Sequence, residues 1–251
     1  MTPSSIRPLE GRTALVTGGS RGIGAAIVRR LAADGADVAF THTRSGEHAP
    51  AVVRDAEALG VRALAVRADS ADPEALRSAV DLVHERLGGP HILVGNAGVA
   101  PFGPFEEFTV ADFDRAIAVH ARAAFVAAQA AVRYMGPGGR IIGVGTNLSE
   151  RASVPETVLY STSKSALLGL TRSLARELGP RGITVNLVHP GSTDTDMNPA
   201  DGPDAEAERA LTALGRYCSP EDVAASVAHL AGPGGRNITG TSILVDAGAN
   251  A

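Results

Sequence analysis

The sequence predicts an α/β fold: a doubly wound, seven-stranded parallel sheet flanked by helices, in one domain spanning residues 1–251. Three observations predict it. Short β-branched runs alternate with longer helical patterns from one end to the other. Several of the runs are apolar nearly throughout, as strands covered on both faces must be. A glycine-rich turn joins the first strand pattern to the first helix pattern. Repeated alternation implies right-handed crossovers, and no linker or break in composition marks a second domain.

Candidate strands fall at residues 13–17, 37–41, 61–66, 92–95, 140–145, 183–188 and 242–245. The first helix follows the glycine turn, sets Ile23, Ile27 and Leu31 on one side, and stops at Gly35. Another begins at Asp72-Pro73, an acidic cap with proline at the first helical position, and runs to Gly88-Gly89. A third follows Thr109 and continues as one helix over 112–135, and the last follows Ser219-Pro220. Residues 192–215 break the rhythm. They are polar, acidic and interrupted by proline and glycine, which predicts a flap over a substrate site.

Composition narrows the function classes. Hydrophobic residues at 44% and charged residues at 20% exclude a disordered chain. A net charge of -4 offers no general attraction to phosphate backbones, so no nucleic-acid partner is expected. Cys218 is the only cysteine, which excludes an intrachain disulfide, and it reads as a small, partly buried side chain. The histidines at 42, 48, 84, 91, 189 and 229 lack metal-like spacing, and no metal site is expected; solvated or capping roles suit them. Residues 1–12 lack the apolar core of a signal peptide, with 1–8 expected as a flexible tail. Residues 123–132 are interrupted by Gln129 and too short to span a bilayer. No membrane partner and a cytoplasmic setting are expected.

The turn Thr17-Gly18-Gly19-Ser20-Arg21-Gly22-Ile23-Gly24 carries the first functional signal. Gly18 permits the tight turn, Gly22 lets backbone approach a pyrophosphate, and Gly24 allows close helix–strand packing. The helix start behind it presents free N–H groups and a partial positive charge to phosphates. This is the context of a Rossmann dinucleotide site. An NAD(H) site needs a carboxylate at the end of the second strand, but that strand ends Phe40-Thr41-His42-Thr43-Arg44. Arg21 and Arg44 suit a 2′-phosphate instead, which favours NADP(H) over NAD(H). Asp69-Ser70 after the third strand and Asn96-Ala97-Gly98 after the fourth lie where strand ends meet the ligand crevice.

Tyr160 and Lys164 are four apart at the head of an apolar helical run, so they share one face. A free tyrosine is a poor base at neutral pH; a nearby ammonium stabilises the phenolate and brings it closer to working pH. Thr146, 14 residues upstream at a strand end, can polarise a carbonyl, with Asn147 and Ser149 as alternatives. Val188-His189-Pro190-Gly191 ends the next strand at the same sheet edge.

These motifs, in this order, resemble the short-chain dehydrogenase/reductase family over about residues 9–248. The pattern of 182–186 and 215–223 is similar to 3-oxoacyl carrier-protein reductases and their secondary-metabolism relatives. The resemblance implies that Tyr160 is the general acid/base and that Lys164 bonds the nicotinamide ribose while lowering the tyrosine pKa. It implies that Asp69 contacts adenine, that Asn96 to Gly98 line the cofactor, and that Thr193 and Thr195, beyond Pro190-Gly191, hold the carboxamide. It also implies a homo-oligomer, a tetramer or dimer. Two positions depart from the family pattern. Thr146 stands where serine is usual, keeping the hydroxyl. His120 stands where an asparagine usually supports a water-linked proton path; it either relays protons, with a charge change near pH 6 to 7, or fills space against a backbone carbonyl.

The expected function is an NADP(H)-dependent ketone–alcohol oxidoreductase acting on a small-molecule carbonyl. Six acids in 192–215 stand against Arg209 alone, which argues against a highly anionic substrate there. A carrier-bound substrate, or a sensor that binds dinucleotide without catalysis, are the alternatives.

Overall fold

The computed structural model describes residues 7–43 and 48–251; Arg44 and residues 1–6 of the expected tail lie outside the described residues. Seven strands form one parallel sheet: β1 Thr13–Val16, β2 Asp37–His42, β3 Ala63–Arg67, β4 Ile92–Gly95, β5 Arg140–Val144, β6 Thr184–Pro190 and β7 Ser242–Val245. Their order across the sheet is β3-β2-β1-β4-β5-β6-β7. The winding therefore reverses between β1 and β4, whose registered pairs include Ala14 with Ile92 and Val16 with Val94. Such a switch point leaves a crevice beyond the carboxyl ends of both strands.

Alternation along the strands builds a core on each face. Ala14, Val16, Val38 and Phe40 point to one side, against α1 Gly22–Ala33, α2 Ala49–Ala58 and α8 Pro220–Ala231. Leu15, Ala39 and Leu93 point to the other, against α3 Pro73–Leu87, α5 Ala123–Ala131 and α6 Val158–Leu178. The alanines of α1, α5 and α8 let these helices lie close on the sheet.

The helix starts follow local chemistry. Asp72 accepts the Glu74 and Ala75 N–H groups at the start of α3, and Gly88 ends it in the left-handed conformation. Reciprocal capping boxes start α4 Val110–Ile117, through Thr109 and Asp112, and α8, through Ser219 and Asp222. The single helix expected over 112–135 is not continuous. Between α4 and α5 the backbone widens into a π-turn at Ala118–Arg122, which admits one extra residue and sets His120 inward. Residues 192–215 contain a short helix, α7 Ala205–Ala210, and begin on a bridge between Thr193 and Cys218. Among the described residues no helix is long and apolar enough to cross a membrane.

Candidate active site

The glycine turn sits at the carboxyl end of β1, beside the switch point. Gly18 has φ +66°, and a Cβ there would lie 3.0 Å from the Ala97 Cα. A Cβ at Gly24 would lie 2.2 Å from the Gly18 carbonyl oxygen and 2.6 Å from Asn96 Nδ2. Gly24 thus lets the first turn of α1 close onto the strand–turn junction. Gly22, at φ +51°, faces the Thr195 methyl, where a Cβ would come within 3.4 Å. Gly19, which the sequence reading does not single out, is equally constrained: a Cβ there would lie 2.5 Å from the Phe40 Cβ. The first turn of α1 carries no acidic residue, so its N–H groups and positive end remain suited to phosphates. Arg21 is exposed at this end, Ser20 is buried and Ile23 is partly buried.

Asn96 and Thr17 lock the turn to β4. Thr17 Oγ1 accepts the N–H groups of Asn96 (3.0 Å) and Ala97 (3.1 Å). Asn96 Nδ2 donates to the carbonyls of Thr17 and Gly18, both at 3.0 Å. Asn96 is therefore a scaffold for the crevice. A Cβ at Gly98 would meet His120 Nε2 at 3.3 Å and Lys164 Nζ at 3.4 Å, so glycine keeps the crevice open beside the lysine. Asp69 is exposed and accepts the Ala71 N–H (2.9 Å), an Asx turn. Ser70 beside it is buried. At the end of β2, His42 pairs in register with Arg67, whose charge adds to burial in lowering the histidine pKa. Arg67 is a second cationic group at the edge where β2 lacks an acid, and its place is visible only once β3 is paired with β2.

On the far side of the crevice, Pro190 closes β6, and Gly191 packs so tightly on Asp246 that a Cβ would lie 2.7 Å from the Asp246 Cβ. Thr193 Oγ1 donates to the Gly191 carbonyl (3.0 Å), and Thr195 Oγ1 accepts the Asn198 N–H (3.3 Å). Both threonines anchor the start of 192–215 over α1.

The reactive groups meet where β5 gives way to α6. Tyr160 and Lys164 lie one turn apart on α6, and the Thr146 hydroxyl, just beyond β5, lies beside the Tyr160 phenol. Asn147 points elsewhere, pairing with Asn250, while Ser149 Oγ is buried. Lys164 is 4% exposed and donates to the Val144 carbonyl at 2.8 Å. Burial lowers its ammonium pKa from 10.5 to about 8. The sequence reading expects Lys164 to draw the Tyr160 pKa down. Instead burial pushes the phenol above its ordinary value, and the opposing influence is the Thr146 hydroxyl.

His120 is 3% exposed, and its contacts settle its tautomer. Nε2 accepts the Val99 N–H at 3.1 Å, so the ring proton sits on Nδ1 and points to Ser163 Oγ at 2.9 Å. Ser163 in turn donates to the Tyr160 carbonyl at 3.0 Å. Burial, and then the Lys164 charge, lower the His120 pKa to about 3, which corrects the expected charge change near pH 6 to 7. The ring ties the loop after β4 to the first turn of α6. Ser163 completes that tie; its only sequence signal is adjacency to Lys164.

His189 also departs from expectation. Placed among the solvated or capping histidines by sequence, it is fully buried, because the last residues of β6 lie between β5 and β7. Cys218, expected partly buried, is buried outright, its thiol donating to the Val245 carbonyl. Phe102 is 54% exposed and meets the Tyr160 ring edge-on, centroids 5.0 Å apart. Its loop is pinned by a Gly103 N–H bond to the Glu156 carbonyl (3.0 Å), with Glu156 held at φ +62°.

A family model described as Enoyl-(Acyl carrier protein) reductase matches residues 18–250. A crystal structure of a short-chain dehydrogenase from Burkholderia cenocepacia J2315 in complex with NADP superposes with a TM-score of 0.96 at 57% identity, covering 97% of this chain and 100% of that one. This chain belongs to the short-chain dehydrogenase/reductase family. As a member of that family it is an oxidoreductase. The chain is also 44% identical to the Cyclic-di-GMP-binding biofilm dispersal mediator protein of Escherichia coli, covering 94% of this chain and 96% of that protein. It is 37% identical to a versicolorin reductase of Emericella nidulans, covering 99% of each.

Proposed function

We propose that this short-chain dehydrogenase/reductase interconverts a ketone and a secondary alcohol with NADP(H), with Tyr160 as general acid/base. The observation that carries the proposal is the meeting of the Thr146 hydroxyl, the Tyr160 phenol and buried Lys164 at the mouth of the crevice that Gly98 keeps open. The crevice suits a dinucleotide: Gly18 lets the turn close against Ala97, Gly22 removes a side chain where phosphates would approach, and the α1 N-terminus faces them. NADP(H) is favoured by Arg21, by Arg67 at the acid-free end of β2, and by the NADP held in the Burkholderia structure.

When bound, the cofactor supplies or accepts the hydride. Tyr160, its phenol kept protonated at neutral pH by burial, gives a proton to the oxygen of the reduced carbonyl. Thr146 hydrogen-bonds the same oxygen, and Lys164 would hold the nicotinamide ribose. His120 stays neutral and holds Val99 and Ser163 in place; this supports a positioning role over a proton relay.

The substrate is a small apolar or aromatic ketone. Phe102 offers an exposed ring beside Tyr160, and the acids of 192–215, the flap that would cover it, disfavour an anionic carrier-protein thioester. Homo-oligomerisation would use α4, α5 and α6, which leave Phe113, Phe125 and Val158 exposed. A panel of aryl and small cyclic ketones and an acetoacetyl thioester, followed by NADPH absorbance loss with NADH in parallel, tests the reading. Turnover of aryl ketones with NADPH and its loss in Tyr160→Phe are expected. Preference for NADH or for the thioester overturns the cofactor or substrate assignment.

A second reading, dinucleotide binding without catalysis, draws on the cyclic-di-GMP-binding relative and on Thr146 and His120 at altered family positions. It predicts NADPH binding without any carbonyl-dependent oxidation by the unmutated protein.

A further inference from the structure

β5 and β6 run in register up to Val144 and Val188, and the Gly145 N–H still reaches the Val188 carbonyl at 2.8 Å. At Thr146 the ladder stops, and a side chain takes its place. His189 Nδ1 lies against the backbone of Thr146, 3.1 Å from its nitrogen and within hydrogen-bond distance of its carbonyl oxygen. Glycine at 145 makes room for the ring: a Cβ there would be 2.8 Å from His189 Cε1 and Nδ1. His189 is 0% exposed, and its Nε2 has no hydrogen-bond partner among the described residues. Among the described residues Nδ1 is therefore the ring nitrogen that holds Thr146: it accepts the Thr146 N–H in one tautomer and donates to the Thr146 carbonyl in the other.

Thr146 is extended, at φ −157°, and the chain turns immediately beyond it into a short 3₁₀ segment, Asn147–Ser149. Thr146 Oγ1 also accepts the Leu148 N–H at 3.3 Å, so the direction of the hydroxyl depends on how the Thr146 backbone enters this turn. We infer that His189 is a positioning residue: it holds the Thr146 backbone so that the hydroxyl faces Tyr160. This rests on the proposed acid/base reading of Thr146 and Tyr160.

Two amides test which ring nitrogen matters. His189→Asn keeps a polar group at the place of Nδ1, and His189→Gln moves it to the place of Nε2. Turnover of an aryl ketone, NADPH affinity by fluorescence and melting temperature are measured for both, for Thr146→Ala, for Tyr160→Phe and for His189→Gln/Thr146→Ala. His189→Asn is expected to keep kcat within about three-fold. His189→Gln should lower kcat by about ten-fold or more with NADPH affinity unchanged, as a displaced catalytic group does. Added to Thr146→Ala, it should cost less than about two-fold more, since both changes remove one interaction. Equal kcat in the Asn and Gln variants, or losses that multiply in the double variant, overturn the inference. A Gln variant that does not fold while Asn does leaves the comparison to Asn alone: kcat near the unmutated value sustains the role, and a ten-fold loss refutes it. Full activity in Thr146→Ala or Tyr160→Phe would instead sink the acid/base reading itself.

Discussion

Replacing Lys164 by methionine should abolish turnover and make the protein more stable. Lys164 is 4% exposed, and its ammonium pKa falls from 10.5 to about 8 through burial alone. A shift of that size corresponds to about 3 kcal/mol of penalty for carrying the charge at pH 7. Methionine removes the penalty but also the hydrogen bond to the Val144 carbonyl, worth about 1–2 kcal/mol. The net gain is about 1–2 kcal/mol, or about 2–6 °C in melting temperature for a chain of this size. The sign with pH follows from protons bound. Between pH 8 and 10.5 the unfolded lysine holds a proton that the folded one has lost, so the unmutated protein gains stability as pH rises. The advantage of Lys164→Met should therefore be full at pH 7 and shrink through that window. Denaturant melts of both proteins at pH 7, 8, 9 and 10 provide the assay. A variant less stable at pH 7, or an advantage independent of pH, would refute the reasoning.

Three further outcomes are expected. Gly24→Ala drives a methyl toward the Gly18 carbonyl and the Asn96 amide; it should weaken NADPH binding at least ten-fold by calorimetry, with a loss of about 1–3 kcal/mol in stability. Phe102→Ala should raise KM for aryl ketones several-fold while leaving small cyclic ketones and kcat nearly unchanged, which initial-rate kinetics will read. His120→Asn should leave the acid limb of kcat/KM unmoved between pH 5 and 8, because the imidazole is already neutral there. The same variant should flatten the fall in stability from pH 6.5 toward 3, where the unfolded histidine takes a proton that the folded one refuses.

What could be read from sequence was what local chemistry decides. Asp72-Pro73, Thr109 and Ser219-Pro220 announce helix starts because a cap acts within three residues. The glycine turn is legible for the same reason, its demands being set by one strand–helix junction. His189 was misplaced because its surroundings are made by β5 and β7, far away along the chain. The π-turn around His120 leaves no mark in a run of alanine and valine. Lys164 was expected to lower the Tyr160 pKa on the strength of spacing. Burial dominates that phenol instead, and the Lys164 ammonium is engaged by the Val144 carbonyl. Phe102 and Arg67 gain meaning only from what the folded sheet sets beside them.

The central claim is that Tyr160 and Thr146 serve hydride exchange with a carbonyl. NADPH carrying deuterium at both positions of nicotinamide C4 tests it most directly, with an aryl ketone as acceptor and mass spectrometry of the alcohol. One deuterium on the carbinol carbon is expected from the unmutated protein, and none from Tyr160→Phe, which should still bind NADPH with unchanged affinity. Deuterium-free alcohol, or labelled product at the same rate without the Tyr160 hydroxyl, would contradict the account.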